Sequence, residues 1–279
     1  MTSLTLSNGV EIPAMGLGTW RSKPDDVFPA VLHALSVGYR HIDAAEIYGN
    51  ESDIGRAIDT SDVPRSEVFI TSKLWNTHWS AADSTKALEA TLDKLKTDFL
   101  DLYLVHWPGP AGRPEEVWPA LEKAVDTGKV RSIGLSNFPV HRIASLAASA
   151  RIKPVVNQVE CHPHLQNIYL RDYCREAGVT LEAYAPLKSD HIADLLGNKT
   201  LKQIAADRSK TVPQIVLRWH VQRGVVPVPK SVTPSRITEN FQIFDFELSA
   251  EEMKRIRGIN RGERHFPDPD DVDFGVPVE

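Results

Sequence analysis

The chain has 279 residues, 42% of them hydrophobic and 25% charged, which fits one large soluble α/β domain with a sizeable core. A net charge of −5 without any block of clustered Lys and Arg argues against nucleic acid or an anionic membrane as partner. Cys161 and Cys174 make no disulfide framework, Met1 opens no charged-then-apolar leader and no apolar stretch is long enough for a bilayer, so a reducing, cytoplasmic setting is expected.

Ahead of the first strand, TLSNGVEI carries Asn8 and Gly9 between alternating residues. This is the signal of a hairpin with a type I′ turn, placed to cover the bottom of a barrel. Short β-rich runs then alternate with longer stretches of helical period, the pattern of a parallel sheet with crossover helices. The runs fall at roughly 14–18, 39–43, 68–74, 100–106, 130–135, 154–160, 179–184 and 224–229, and eight such units predict a closed (β/α)8 TIM barrel. Helix signals occupy the intervals: Pro24 near a start, an amphipathic run over 82–95, Pro213 opening a second helix after strand seven, and Pro234 after Thr233. Trp118 lies in one of these helices and is expected to pack. The expected domain is 1–279, a single barrel, with 262–279 an irregular C-terminal tail in which Pro267, Pro269 and Pro277 stand among acidic residues. No long apolar surface helix demands a partner, so a monomer is the expected state.

Four polar side chains sit at or just past the ends of three successive apolar runs: Asp43, Tyr48, Lys73 and His106. In a parallel barrel the carboxyl ends of the strands converge on one mouth, so residues far apart in sequence meet there. Together they suit proton donation to a carbonyl. A tyrosine is ordinarily too weak an acid, with a pKa of about 10, and a fixed ammonium at Lys73 stabilises the phenolate left behind. Lys73 lies within a strand, and Asp43 at the end of the neighbouring strand supplies the partner that a buried ammonium needs. His106 can hydrogen-bond the same carbonyl oxygen and orient it. Taken singly, Asp43 with Lys73 reads as a barrel-stabilising ion pair and His106 as a core histidine; the joint arrangement carries the catalytic reading.

Across nearly the whole chain the motifs HIDAAEIYGNE (41–51), TSKLWN (71–76), LVHWP (104–108), GLSNF (134–138), NQVECHP (157–163), AYAPL (183–187) and VPKSVTPSRITEN (228–240) resemble the aldo-keto reductases. The likeness is to short-loop microbial members of the diketogluconate and aldehyde reductase type. It implies a (β/α)8 barrel that binds NADPH or NADP+ across its mouth and reduces small-molecule aldehydes or ketones without metal, with Asp43, Tyr48, Lys73 and His106 as the catalytic set. It further implies cofactor contacts at Thr19, Trp20, Asp43, Ser136, Asn137, Gln158, Tyr184, Pro186, Leu187, Lys230, Ser231, Val232, Thr233, Arg236, Glu239 and Asn240. Ser136, Asn137 and Gln158 offer donors and acceptors for both ends of a nicotinamide carboxamide, and Tyr184 matches the aromatic that stacks on its ring. Thr233 reads as an N-cap and Pro234 as the first helical residue, so free N–H groups flanked by Lys230 and Arg236 suit a 2′-phosphate and favour NADPH over NADH. Ser231, Glu239 and Asn240 match family positions around the adenosine half.

The chain departs from the family in three places. Lys188, Ser189 and Asp190 lead quickly into IADLL, which shortens the loop expected to clamp the cofactor; the inserts after strand four and at the carboxyl terminus are also short; and Ala44 replaces the usual threonine after the catalytic aspartate. Other chemistries have less support. GLGTW after Gly16 begins like GxGxxG, but Arg21 stands at the third glycine, so a Rossmann reading is rejected. Cys161, His162 and His164 read as structural rather than as a metal cluster, and GLSNF lacks the GxSxG elbow. Trp20, Trp75 and Trp107 fall just past strand ends and, with Tyr48 and His106, are expected to wall an apolar pocket with a polar floor. Phe266 and Phe274 in the tail are candidates to close over it. The expected function is therefore NADPH-dependent reduction of aldehyde or ketone carbonyls with Tyr48 as general acid; the alternative is an NADPH-binding sensor with little turnover.

Overall fold

The computed structural model describes residues 2–109 and 113–272. Its centre is a parallel sheet in sequence order: β3 (Leu17–Gly18), β4 (His41–Asp43), β5 (Phe69–Leu74), β6 (Leu102–Val105), β7 (Ile133–Ser136), β8 (Val156–Glu160), β9 (Thr180–Tyr184) and β10 (Val226–Pro227). The sheet closes on itself, because Gly16 N donates to Pro227 O and Gly18 N to Pro229 O, both at 3.0 Å. This is the expected (β/α)8 barrel. The seam explains why its two strands are shorter than the apolar runs that encode them. Pro227 and Pro229 have no N–H to return to the ladder, so regular pairing stops after two residues. Gly16 and Gly18 are required by the closeness of the approach: a Cβ on Gly16 would lie 2.7 Å from His41 Nδ1, and one on Gly18 2.8 Å from Val228 O.

Single helices follow most strands: α1 (Pro24–Val37), α2 (Glu51–Thr60), α3 (Ala81–Leu95), α4 (Arg113–Asp126), α5 (Val140–Ser149) and α6 (Ile168–Glu176). The interval after β9 holds α7 (Ile192–Leu196), α8 (Lys199–Asp207) and α9 (Val212–Gln222), so Pro213 belongs to the third helix there rather than the second. The one-turn α7 is too short to leave a periodic signal. Local chemistry sets the helix starts. Ser80 accepts from Asp83 N to begin α3, and Thr211 closes a capping box with Gln214 to begin α9. α10 (Pro234–Phe241) and α11 (Ala250–Arg257) complete the shell, with Thr233 at the N-cap of α10 as expected. After α11 the described residues to 272 form no helix or strand. Trp118 is buried in α4 and its indole N–H donates to Ile152 O at 2.9 Å, a packing role.

The hairpin β1 (Ser3–Thr5) and β2 (Glu11–Pro13) plugs the N-terminal end of the barrel, where Leu6 and Ile12 pack with Phe69, Leu102, Leu104, Val156 and Val226. Its turn is not type I′. Gly9 N donates to Leu6 O at 2.8 Å, and only Gly9 of the Asn8–Gly9 pair has positive φ, at 85°. The tight turn is therefore centred on Ser7 and Asn8 and followed by a left-handed glycine, the three-residue hairpin form. Tertiary contact explains the choice: Asn8 Nδ2 donates to Ser132 Oγ at 3.0 Å and Arg131 O at 3.2 Å, tying the turn to the barrel. Among the described residues no helix is long and apolar enough to cross a membrane.

Candidate active site

Strand alternation carries His41 and Asp43 of β4, Thr71 and Lys73 of β5, and His106 just past β6 onto one inner face. Asp43 and Lys73 are 3% and 0% exposed, and Lys73 Nζ donates to both Asp43 oxygens at 2.7 and 2.8 Å and to Ala44 O at 2.9 Å. The Tyr48 hydroxyl lies 3.5 Å from the same ammonium. Tyr48 is carried there by a single 3-10 turn, Glu46–Tyr48, that follows β4 at once and ends on left-handed Gly49 at φ 68°. The Glu46 carboxylate pairs with His78 at 2.9 Å and so ties this turn to the residues beyond β5. The ring of His106 stands 5.9 Å from Tyr48 and 5.1 Å from Trp75. The four residues singled out in the sequence thus meet at one mouth.

Their ionisation follows from burial and from one another. Burial is the largest influence on Lys73 and works to discharge it, but the Asp43 carboxylate together with Tyr48 and Glu182 outweighs it, and the ammonium is held above its ordinary pKa. Burial, then the Lys73 charge, keeps the His106 imidazole well below its ordinary value, so the ring is neutral and has one N–H to donate. For Tyr48 burial raises the pKa more than Lys73 lowers it, and the net shift is upward. Lys73 is therefore a counterweight to desolvation and does not by itself make the phenol acidic, a correction to the simple reading of an adjacent ammonium.

Beneath this group lies a second polar layer. Gln158 Nε2 donates to Asp43 Oδ2 at 2.7 Å and to Glu182 Oε2 at 3.0 Å. Both hydrogens of the amide are spent on carboxyl groups, which leaves Oε1 for a ligand. Asn137, left-handed at φ 67°, donates from Nδ2 to His106 O at 3.0 Å and Ser136 Oγ at 3.1 Å, and accepts from the Tyr184 hydroxyl at 2.8 Å. Thr19 Oγ1 donates to Asp43 O at 2.8 Å.

Aromatic side chains line the rim. Phe266 packs edge-on against Trp20 at 5.4 Å and Tyr184 at 5.2 Å between ring centroids, so the tail does reach over the mouth. Its anchor is Glu160, wholly buried at the end of β8, which accepts from His265 N at 2.8 Å, Phe266 N at 3.0 Å and His162 Nε2 at 3.0 Å. Phe274 lies outside the described residues. Trp75 follows β5 directly and Trp107 follows His106 beyond β6, Trp107 8% exposed. Across the mouth Arg21 pairs with Asp190 at 3.2 Å, joining the loops after β3 and β9. The shortened loop after Tyr184 is pinned by Lys188, whose ammonium sits among Asp194 at 2.8 Å, Glu263 at 3.0 Å and His164 Nδ1 at 3.4 Å.

Comparison with known proteins agrees with this geometry. The model of the Aldo/keto reductase family matches residues 14–261. This chain belongs to the aldo/keto reductase family. Glyoxal reductase of Bacillus subtilis is 47% identical over 98% of both chains. An aldo-keto reductase from a Medee basin deep-sea metagenome library superposes with a TM-score of 0.96 at 48% identity, covering 98% of this chain and 100% of the other. A variant of Gox0644 solved in complex with NADPH superposes with a TM-score of 0.93 at 35% identity, covering 98% of this chain and 99% of that one.

In this aldo-keto reductase the remaining motif residues fall into two groups. Pro186 is buried and Leu187 half-buried in the loop after β9. Lys230, Ser231, Val232, Thr233 and Arg236 surround the start of α10, where Lys230, Thr233 and Arg236 are exposed. The Thr233 side chain makes no cap bond and its own N–H is taken by Ser231 Oγ at 3.1 Å. Glu239 is engaged within the protein, accepting from Thr211 Oγ1 at 2.8 Å, and Asn240 is buried. Sequence reasoning missed Glu182, His41, Glu160 and the Lys188 clip. For Glu182 a signal existed: it stands two residues before Tyr184 on one strand and so shares its face.

Proposed function

We propose that this oxidoreductase reduces aldehyde or ketone carbonyls with NADPH, Tyr48 serving as the general acid. One observation carries the reading: a phenol, a charged ammonium and a neutral imidazole converge at the barrel mouth, with Tyr48 Oη 3.5 Å from Lys73 Nζ. The free Oε1 of Gln158, the Tyr184 ring and the α10 start with Lys230 and Arg236 fit the carboxamide, ring and phosphate of a nicotinamide dinucleotide, and would hold it. When bound, NADPH supplies a hydride to the carbonyl carbon.

The chain's own residues do the rest. His106 donates its single N–H to the carbonyl oxygen and fixes its direction. Tyr48 gives its proton to the oxygen as negative charge develops there, and Lys73, held charged by Asp43, stabilises the phenolate. Tyr48 is later reprotonated from solvent. Trp20, Trp75, Trp107 and Phe266 form an apolar wall that suits a carbonyl on an aliphatic, aromatic or short polyol body. That one relative is named a glyoxal reductase supports small aldehydes as the first compounds to try.

The test is loss of NADPH absorbance with purified protein and a panel of aldehydes, ketoses, ketoacids and diketones. Turnover is expected, and Tyr48→Phe is expected to lower it by about a thousandfold while leaving NADPH affinity nearly unchanged. Undiminished activity in Tyr48→Phe would remove Tyr48 from its role. Tight NADPH binding with no turnover on the whole panel would move the reading to a sensor.

A further inference from the structure

The barrel interior holds a second carboxyl group that the reaction proposed above does not use. Glu182 is wholly buried on β9, and its Oε2 shares the amide of Gln158 with Asp43. Its Oε1 is buried without a hydrogen-bond partner, 3.6 Å from His41 Nε2. The titratable groups facing it are His41 and Asp43 from β4, Lys73 from β5 and Tyr48 from the turn after β4; Thr71 and Gln158 are neutral, and its β10 neighbour is Val226. Only one of these is a cation. Lys73 already spends its hydrogens on Asp43, Ala44 and the Tyr48 hydroxyl. His41 cannot carry a second positive charge, because burial, then Lys73, pushes its imidazole down to about 3. Ionised, Glu182 would leave two negative charges against one ammonium in a dry interior, an arrangement that a carboxyl group avoids by keeping its proton.

We propose that Glu182 is a positioning acid of this site, protonated while the enzyme works, whose ionisation ends carbonyl reduction in alkaline solution. The proposal rests on the tetrad reading of the preceding subsection. Protonated, Glu182 leaves the interior electrically balanced, one ammonium to one carboxylate, and holds the Gln158 amide with its N–H groups inward and its oxygen toward the mouth. When the proton leaves to solvent, a second negative charge joins the chain Asp43–Gln158–Glu182. That charge raises the Tyr48 pKa further and offsets the Lys73 charge that stabilises the phenolate, so the general acid weakens. The pH range follows from the surroundings: burial, then the Asp43 charge, pushes Glu182 up to about 8. The signal for this group is geometric as well as electrostatic, because no other donor reaches either of its oxygens among the described residues.

The experiment is the pH dependence of kcat/KM for carbonyl reduction at saturating NADPH in the wild type and in Glu182→Gln, with Tyr48→Phe alongside. An infrared difference spectrum of the two folded proteins is recorded over the same pH range. The wild type is expected to show a descending limb centred near 8 and a protonated-carboxyl stretch that titrates with it. In Glu182→Gln that band is absent and the limb moves up by about one pH unit or more, toward the ordinary range of a tyrosine. A limb that stays in place in Glu182→Gln, or a wild type without the band at neutral pH, overturns the proposal while turnover abolished by Tyr48→Phe keeps the reductive reading. No wild-type turnover overturns that reading and this proposal with it. Should Glu182→Gln fail to fold, the infrared titration of the wild type alone decides: a band that vanishes near 8 supports the proposal, and its absence refutes it.

Discussion

The two ends of the barrel interior are built from the same strands and follow opposite rules. At the hairpin end, Leu102, Leu104, Val156 and Val226 meet Leu6 and Ile12 in a dry apolar plug. Two residues further along the same strands the inner face carries Gln158 after Val156, His106 after Leu104 and, on β9, Glu182 followed by Tyr184. The plug needs only volume and apolar area, so its parts are exchangeable within limits of packing. The mouth holds its buried charges through specific partners, and removing one, such as the Lys73 ammonium, leaves another stranded.

The strongest way to break the comparison is at Lys73. Lys73→Met strips the ammonium from Asp43 and is expected to lower turnover by about a thousandfold or more and stability by about 3–5 kcal/mol, because a buried carboxylate loses its partner. Chemical denaturation beside kinetics checks both; a stable variant that keeps its rate would show that the pair is ornamental. At the other end, Leu102→Ala is expected to cost about 2–5 kcal/mol of stability with the rate per folded molecule preserved at low temperature. A rate that falls with it would mean that the plug and the mouth are not separable.

Smaller effects sharpen the picture. Replacing Lys230 and Arg236 with Ala is expected to weaken NADPH by about tenfold to a hundredfold and to leave NADH nearly unaffected, since each removes a cation from the α10 start. Equal losses for both nucleotides would place the 2′-phosphate elsewhere. A last effect is a slope in stability. Glu182 is raised from 4.5 to about 8 by burial and the Asp43 charge, so between those values the folded chain binds a proton that the unfolded chain has released. Stability from this group is full below 4.5 and is lost as pH rises through about 8. The difference in Tm between Glu182→Gln and the wild type should therefore move in the variant's favour between those limits, and a constant difference would count against a protonated Glu182.

Much of this was legible before folding. The alternation of β-rich runs and helical periods pointed to a parallel sheet covered by crossover helices on both faces, and the count of eight units pointed to its closure as a barrel rather than an open sheet. Asp43, Tyr48, Lys73 and His106 could be read from their place at strand ends, and Thr233–Pro234 from the chemistry of helix starts. The limits were local too. Asn8–Gly9 predicted a type I′ turn, and the bond of Asn8 to Ser132 selected another form. The truncation of β10 was written in Pro227 and Pro229, but it matters only once Gly16 and Gly18 bring β3 alongside to close the seam.

By itself, then, the sequence determined which residues would stand at the mouth, since strand period and strand ends are properties of neighbouring residues. Tertiary structure alone decided what state they would be in. The upward shift of Tyr48 despite Lys73, the seating of Phe266 against Trp20 and Tyr184 by Glu160, and the single cation shared by Asp43 and Glu182 all depend on burial and on distances between separate strands. Desolvation and Coulomb energy are set by those distances, and no local pattern encodes them until the barrel has closed.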